Sequence, residues 1–195
     1  MVEWAGTVIL TTPRLLLRTY RRDDLPPYAA LNAHPEVVRY LGGTALSRAE
    51  SDAIAEWAQQ EYEREGIGLL AVERRQDARF LGMCGLHHQD WSPDDIEVAW
   101  RLGYEFWGQG YATEAASAWL DHAFGVLDLP RVISITEPAN TRSVAVMERL
   151  GLTFDHAAEL EGEEADPVPF QAVIYAISAR EWRALPHRGS TARRK

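Results

Sequence analysis

A single cysteine, Cys84, in a chain of 195 residues leaves no internal disulfide to form and fits a reducing compartment. Long apolar runs are missing too. Gly68-Leu69-Leu70-Ala71-Val72 is among the longest, far short of the ~20 residues that a membrane span needs. The N-terminus, Met1-Val2-Glu3-Trp4-Ala5-Gly6, has an acid where a signal peptide carries basic charge, and no apolar stretch follows it. Positive charge is in deficit, with 20 Lys and Arg against 29 Asp and Glu for a net charge of −9, which argues against general nucleic-acid binding. Neither an internal repeat nor a Ser/Gly-rich linker divides the chain. The expectation from these absences is one cytoplasmic domain with no membrane contact.

What is present is a globular composition, 46% hydrophobic and 25% charged, which excludes a disordered chain. Charge is unevenly placed. Asp155, Glu159, Glu161, Glu163, Glu164 and Asp166 follow one another with no Lys or Arg between them, as in a solvated loop or a field that draws in a cationic amine. Arg188, Arg193, Arg194 and Lys195 close the chain without an acid, which reads as a flexible, frayed basic tail, an RNA tether being the other reading. The expected organisation is an N-terminal extension at 1–11, a core domain at 12–178 and a C-terminal segment at 179–195.

Arg14-Leu15-Leu16-Leu17-Arg18 reads as a first strand, and Asp23-Asp24 as the cap of a helix running towards His34. Ser47-Arg48-Ala49-Glu50 is a capping box opening a helix that should run to about Arg64 and stop at Gly66. Ile67–Glu73 and Arg79–His88 read as strands joined by a polar turn. Ile96, Val98, Trp100 and Leu102 alternate with Glu97, Ala99 and Arg101, the period of a strand. Ala112, Ala115, Ala116, Trp119, Leu120, Ala123 and Phe124 recur at steps of three and four along one helical face. Arg131–Thr136 is a short strand, Asn140 opens a helix with Val144, Met147 and Leu150 inward, and Gly151 stops it. Leu152–Phe154 and Val168–Ile177 supply closing strands. Helices interspersed with strands throughout predict one sheet covered by helices, an α/β or α+β class.

Trp107-Gly108-Gln109-Gly110-Tyr111-Ala112-Thr113-Glu114 lies between a strand and a helix. Two glycines let the backbone approach a ligand closely, and the unpaired amides of a helix start add partial positive charge. That combination suits a phosphate, although an ordinary tight turn has the same composition. It is neither a Walker loop nor a dinucleotide fingerprint, lacking the lysine and the third spaced glycine.

Three stretches together resemble the GNAT superfamily of acyl-CoA-dependent N-acyltransferases, and within it the RimJ/RimL-like branch that acetylates N-termini of ribosomal proteins. They are Thr12-Pro13-Arg14-Leu15-Leu16-Leu17-Arg18, the segment Trp107–Ala115, and Asn140-Thr141-Arg142-Ser143-Val144-Ala145-Val146-Met147-Glu148-Arg149-Leu150-Gly151-Leu152. The likeness covers roughly residues 12–177. It implies a mixed, mostly antiparallel sheet of about seven strands splayed in the middle, with helices on both faces. It implies acetyl-CoA as co-substrate, no metal, an amine acceptor (a peptide N-terminus or a small cationic amine) and a homodimer. By the same resemblance, amides of Trp107, Gly108, Gln109, Gly110, Tyr111, Ala112 and Thr113 hold the CoA diphosphate. Arg101 and Leu102 fall where free backbone groups meet the pantetheine arm, and Asn140 and Ser143 lie by the sulfur. Glu97 matches the general base and Ser143 a group that positions or protonates the thiolate.

Each assignment has a plainer counterpart. Glu97 on a polar strand face is also what a solvated carboxylate looks like, and Asn140 is a good N-cap in any helix. Arg142 and Arg149 suit either CoA phosphates or a charged helix surface. Cys84 sits in the apolar run Phe80-Leu81-Gly82-Met83, as a buried inert thiol does, and His87-His88 lacks the spacing of a strand-borne metal pair. Trp57 and Tyr62 lie on the helix that in the family borders the acceptor pocket, so they either pack or select substrate. A non-catalytic acyl-CoA sensor is the alternative to an enzyme.

Overall fold

The computed structural model describes residues 4–89, 91–160 and 169–186. The acidic run after Leu160 and the basic tail at 187–195 lie outside the described residues. Among the described residues eight strands form one sheet: β1 (Val8–Thr11), β2 (Leu15–Arg18), β3 (Leu69–Arg74), β4 (Arg79–Gln89), β5 (Ser92–Leu102), β6 (Arg131–Thr136), β7 (Thr153–Leu160) and β8 (Phe170–Ser178). Their order is β1-β2-β3-β4-β5-β6-β8-β7, every neighbouring pair antiparallel except β5 and β6. The helices are α1 (Leu25–Asn32), α2 (Pro35–Val38), α3 (Arg48–Glu65), α4 (Tyr111–Gly125), α5 (Thr141–Arg149) and α6 (Ala179–Ala184).

Strand alternation divides the core between the two faces. Leu15, Leu17, Leu70, Val72, Cys84, Leu86, Val98 and Leu102 pack against Ala115, Ala116, Trp119, Leu120 and Ala123 of α4 and Met147 of α5. Leu69, Ala71 and Met83 turn the other way, onto Tyr28 and Leu31 of α1 and Ala55 and Ala58 of α3. Ser47 and Glu50 close the expected capping box on α3, which ends at Gly66 in the left-handed conformation.

The sheet has eight strands rather than about seven because Val8–Thr11, read as part of an extension, pairs along β2 as the edge strand. Four residues with a bulge between Val8 and Leu10 are too short to show a period in the sequence. β5 begins at Ser92, earlier than its apolar alternation, because the β4–β5 hairpin carries a bulge at His88/Gln89 and pairs on to Ser92.

Asp24 does not cap α1 through its side chain. Its carboxylate instead takes two bonds from the buried Arg18, at 2.6 and 2.8 Å, and one from the Arg21 N–H at 2.6 Å. Arg18 Nε also bonds Glu73 at 2.8 Å, and Arg21 reaches the same oxygen at 2.6 Å. Arg18 is 1% exposed, so its charge depends on both acids, and removing one partner of a buried pair is far more costly than losing a surface pair. Asp24→Ala is expected to lower unfolding stability by about 3 kcal/mol in urea titrations followed by tryptophan fluorescence. A loss under about 1 kcal/mol would place the pair with ordinary surface bridges.

Candidate active site

β5 and β6 run parallel and pair at one register point, Glu97 opposite Ile133. Each is fully paired on its other side, β5 along β4 and β6 along β8. Past Glu97 the sheet is therefore open on the β6 side of β5. Successive residues of a strand turn their backbone groups to opposite edges. Gly103 N–H bonds Leu81 O at 2.9 Å, which fixes the phase. Arg101 and Ala99 accordingly face β4, while Trp100 and Leu102 turn their N–H and C=O towards the opening. Of the two adjacent positions expected to meet a pantetheine arm, only Leu102 is so directed, and its carbonyl accepts the Trp107 indole N–H at 2.8 Å. Arg101 reaches across the α1 face to Asn32 Oδ1 at 2.9 Å, and its buried Nε has no partner among the described residues.

After β5 a 3₁₀ turn, Tyr104–Phe106, leads into Trp107-Gly108-Gln109-Gly110 and directly into α4. Gly108 and Gly110 have φ of +72° and +79°, the left-handed region where glycine is unstrained. A Cβ on Gly108 would meet open space, so backbone angle and not crowding selects glycine there. The Glu114 N–H bonds Gly110 O at 3.0 Å, and no protein acceptor meets the N–H groups of Gly108, Gln109, Gly110, Tyr111, Ala112 and Thr113 among the described residues. These donors converge at the positive end of a helix dipole, an arrangement suited to a phosphate. Arg142 of α5 stands 5.0 Å from the Trp107 ring, so a cation borders the loop.

The loop is tied to the far edge of the sheet. Glu114, in the first turn of α4, accepts from Thr12 Oγ1 at 2.5 Å and from Arg14 N at 2.9 Å and Nε at 2.5 Å. Arg14 continues to Gln109 O at 3.0 Å and lies 4.5 Å over the Tyr111 ring. Burial pushes the Glu114 carboxyl up, but the Thr12 and Arg14 bonds outweigh it and hold it below the usual range. In the sequence Arg14 belongs to a strand, Glu114 to the end of a glycine-containing turn and Thr12 to a family-like stretch, with no role set for any of the three side chains. Nothing in a linear sequence shows that residues 14 and 114 meet.

Glu97 is 7% exposed and lies on the face of β5 opposite Val98 and Leu102. Its Oε1 accepts the Ile135 N–H at 3.2 Å, and its Oε2 accepts from Gln89 Nε2 and meets His87 Nε2 at 3.2 Å. It is thus no solvated strand carboxylate. His87, set aside in the sequence as a poor metal ligand, stands directly across the strand pair from it. Burial pushes the His87 ring down, yet the hydrogen bond and charge of Glu97, with the charge of Glu61, raise it overall. Trp57 meets His87 edge-on at 6.3 Å, and Trp91 donates to Gln89 Oε1 at 2.9 Å. Tyr62 packs on the α4-side core.

Asn140 caps α5, its Oδ1 accepting Ser143 N–H at 3.3 Å. Its Nδ2 donates to Thr136 Oγ1 at 2.9 Å and Ser143 Oγ at 3.1 Å, fixing the half-buried serine at the end of β6. Cys84 is fully buried, and burial pushes its thiol far above the ordinary range. Among the described residues no group of three or more His, Cys, Asp or Glu is placed to hold a metal ion, and no helix is long and apolar enough to cross a membrane.

Residues 14–153 match the family model described as an acetyltransferase (GNAT) domain. YdaF of Bacillus subtilis (strain 168), provisionally assigned as a ribosomal N-acetyltransferase, is 31% identical over 131 residues, 66% of this chain and 68% of that one. Two solved structures share the fold. The microcin C7 self-immunity acetyltransferase MccE, in complex with acetyl-CoA and AMP, has a TM-score of 0.72 at 16% identity, covering 91% of this chain and 99% of that one. Spermidine N-acetyltransferase from Vibrio cholerae, with CoA and spermine, has a TM-score of 0.69 at 19% identity, covering 88% and 99%.

The His87–Glu97 pair has a pH signature. A histidine whose folded pKa is raised binds its proton more tightly when folded. Its contribution to stability is therefore complete below the ordinary histidine pKa, ~6.5, and is lost as pH rises through the raised value. The melting temperature should fall across that window in the wild type and stay flatter in His87→Gln, measured by calorimetry over a pH series. Superimposable profiles would remove the charged pair from the site.

Proposed function

Because the chain belongs to the GNAT acetyltransferase family, an acyl-CoA-dependent class, we propose that it carries an acetyl group from acetyl-CoA directly to a primary amine in one ternary complex. The amine nitrogen forms a bond to the acetyl carbonyl carbon as the carbon–sulfur bond breaks. The nitrogen gives up a proton, and CoA departs as its thiol.

The observation that carries the reading is the run of unpartnered amides at 108–113, at the end of a strand whose inner edge is open. The residues fit the donor. Main-chain N–H groups from Gly108 to Thr113 meet the diphosphate, with Trp107 and Arg142 bordering it. The backbone edge of Trp100 and Leu102 lies along the pantetheine arm. Arg101, whose backbone faces β4, supports this edge from the α1 side.

Glu97 receives the amine proton, directly or through water. Its Ile135 bond holds one oxygen in place, and His87 and Gln89 stand beside the other. Ser143 Oγ accepts from Asn140, which leaves its own hydrogen free to turn towards the sulfur. A serine hydroxyl is a weak acid, so orienting the thioester is its larger contribution. The acceptor is a peptide N-terminus or a small cationic amine. The provisional assignment of YdaF and the polyamine named for the Vibrio cholerae enzyme illustrate the two.

Free-thiol release across a panel of amines tests the transfer. Glu97→Gln is expected to reduce turnover at least tenfold while CoA affinity, read by calorimetry, stays within twofold. Full turnover in that variant removes Glu97 from the proton path. Gly110→Ala forces a side chain into φ +79° beside Arg14 Nη2, 3.4 Å away, and is expected to raise the acetyl-CoA KM at least fivefold with kcat less affected. An unchanged KM would mean that the diphosphate does not sit on this turn.

A further inference from the structure

Trp57 and Trp91 are 45% and 42% exposed, whereas Trp119 and Trp182 are buried in the core. Both exposed indoles lead to the same oxygen. Trp57 packs on His87 and Trp91 bonds Gln89, and His87 and Gln89 both meet Glu97 Oε2. Gln89 sits at the hairpin bulge and places an NH₂ group where a primary amine would bind the carboxylate. One turn along α3 from Trp57, Glu61 is 3% exposed, and its Oε2 has no hydrogen-bond partner among the described residues. His87, His88 and Arg64 and the His88 backbone stand near it, but burial outweighs them and pushes its carboxyl up.

We propose that this cluster is the acceptor subsite and that it takes a primary ammonium on an apolar carbon arm. The ammonium displaces the Gln89 amide from Glu97, and the arm lies between the Trp57 and Trp91 rings. The proposal rests on the transferase reading above and names its acceptor class. Indole faces attract cations and bury hydrocarbon, and a carboxylate between them supplies the counter-charge. A peptide N-terminus fits less well. It brings amide groups directly behind the amine, and ring faces offer these no hydrogen-bond partner.

The test compares 2-phenylethylamine with the tripeptide Ala-Gly-Ser in the thiol-release assay. The wild type is expected to favour the arylalkylamine at least tenfold in kcat/KM. Trp57→Ala and Trp91→Ala should each raise its KM at least fivefold and leave the acetyl-CoA KM unchanged, with Trp57→Phe keeping most of the affinity. Preference for the tripeptide, or an unchanged amine KM in both tryptophan variants, overturns the proposal. If the wild type released no thiol with any amine, the transferase reading would fail first. Calorimetric titration of 2-phenylethylamine into wild type and Trp57→Ala would then decide the subsite, equal affinities overturning it.

Discussion

Glu97 opposite Ile133 is the one register point at which, among the described residues, the β1–β5 and β6–β8 portions of the sheet pair as strands, and the rest of the site depends on that economy of pairing. A fully zipped β5–β6 pair would leave no edge for a ligand. A complete separation would strand buried amides, each costing roughly 1–3 kcal/mol. Glu97 resolves the conflict by giving Ile135 N–H a carboxylate in place of a strand partner. Helix α4 meanwhile spans both portions from one side, its apolar stripe resting on Leu86 and Val98 of one and sharing a core with Val132 of the other. One carboxylate therefore completes the sheet where strand pairing stops, and that duty fixes its geometry.

The loop before α4 shows a second constraint. Its donors are useful only while the protein leaves them unpaired, so its shape must be enforced from elsewhere. Glu114, with the side chain and backbone N–H of Arg14, does this, holding the first helical turn and the Gln109 carbonyl against the turn between β1 and β2 without using any N–H of residues 108–113. Trp107, with its indole on Leu102 O and its face under Arg142, pins the other end.

Local patterns carried much of this into the sequence. The capping box at Ser47, the apolar stripe of α4, the span of β6 and the Asn140 cap all depend on residues within a few positions of one another. Each lies where the spacing places it. What was illegible needed a register or a long-range contact. His87 becomes a partner of Glu97 only once the β4–β5 hairpin is aligned across its bulge, and Asp24 exchanges a capping role for Arg18 because β2 and β3 bring Glu73 alongside. Arg101 and Leu102 look equivalent as neighbours in a line. A strand separates them, turning one backbone to each edge.

The lone cysteine acquires a meaning from the chemistry around it. Coenzyme A leaves as a free sulfhydryl, and an accessible thiolate on the protein would invite mixed disulfides with it whenever conditions turn oxidising. Cys84 lies wholly behind α4, its carbonyl held by Trp119, with its ionised form strongly disfavoured. The polypeptide is therefore a redox bystander to its own by-product, and thiol-reactive dyes added to the folded protein report coenzyme rather than catalyst.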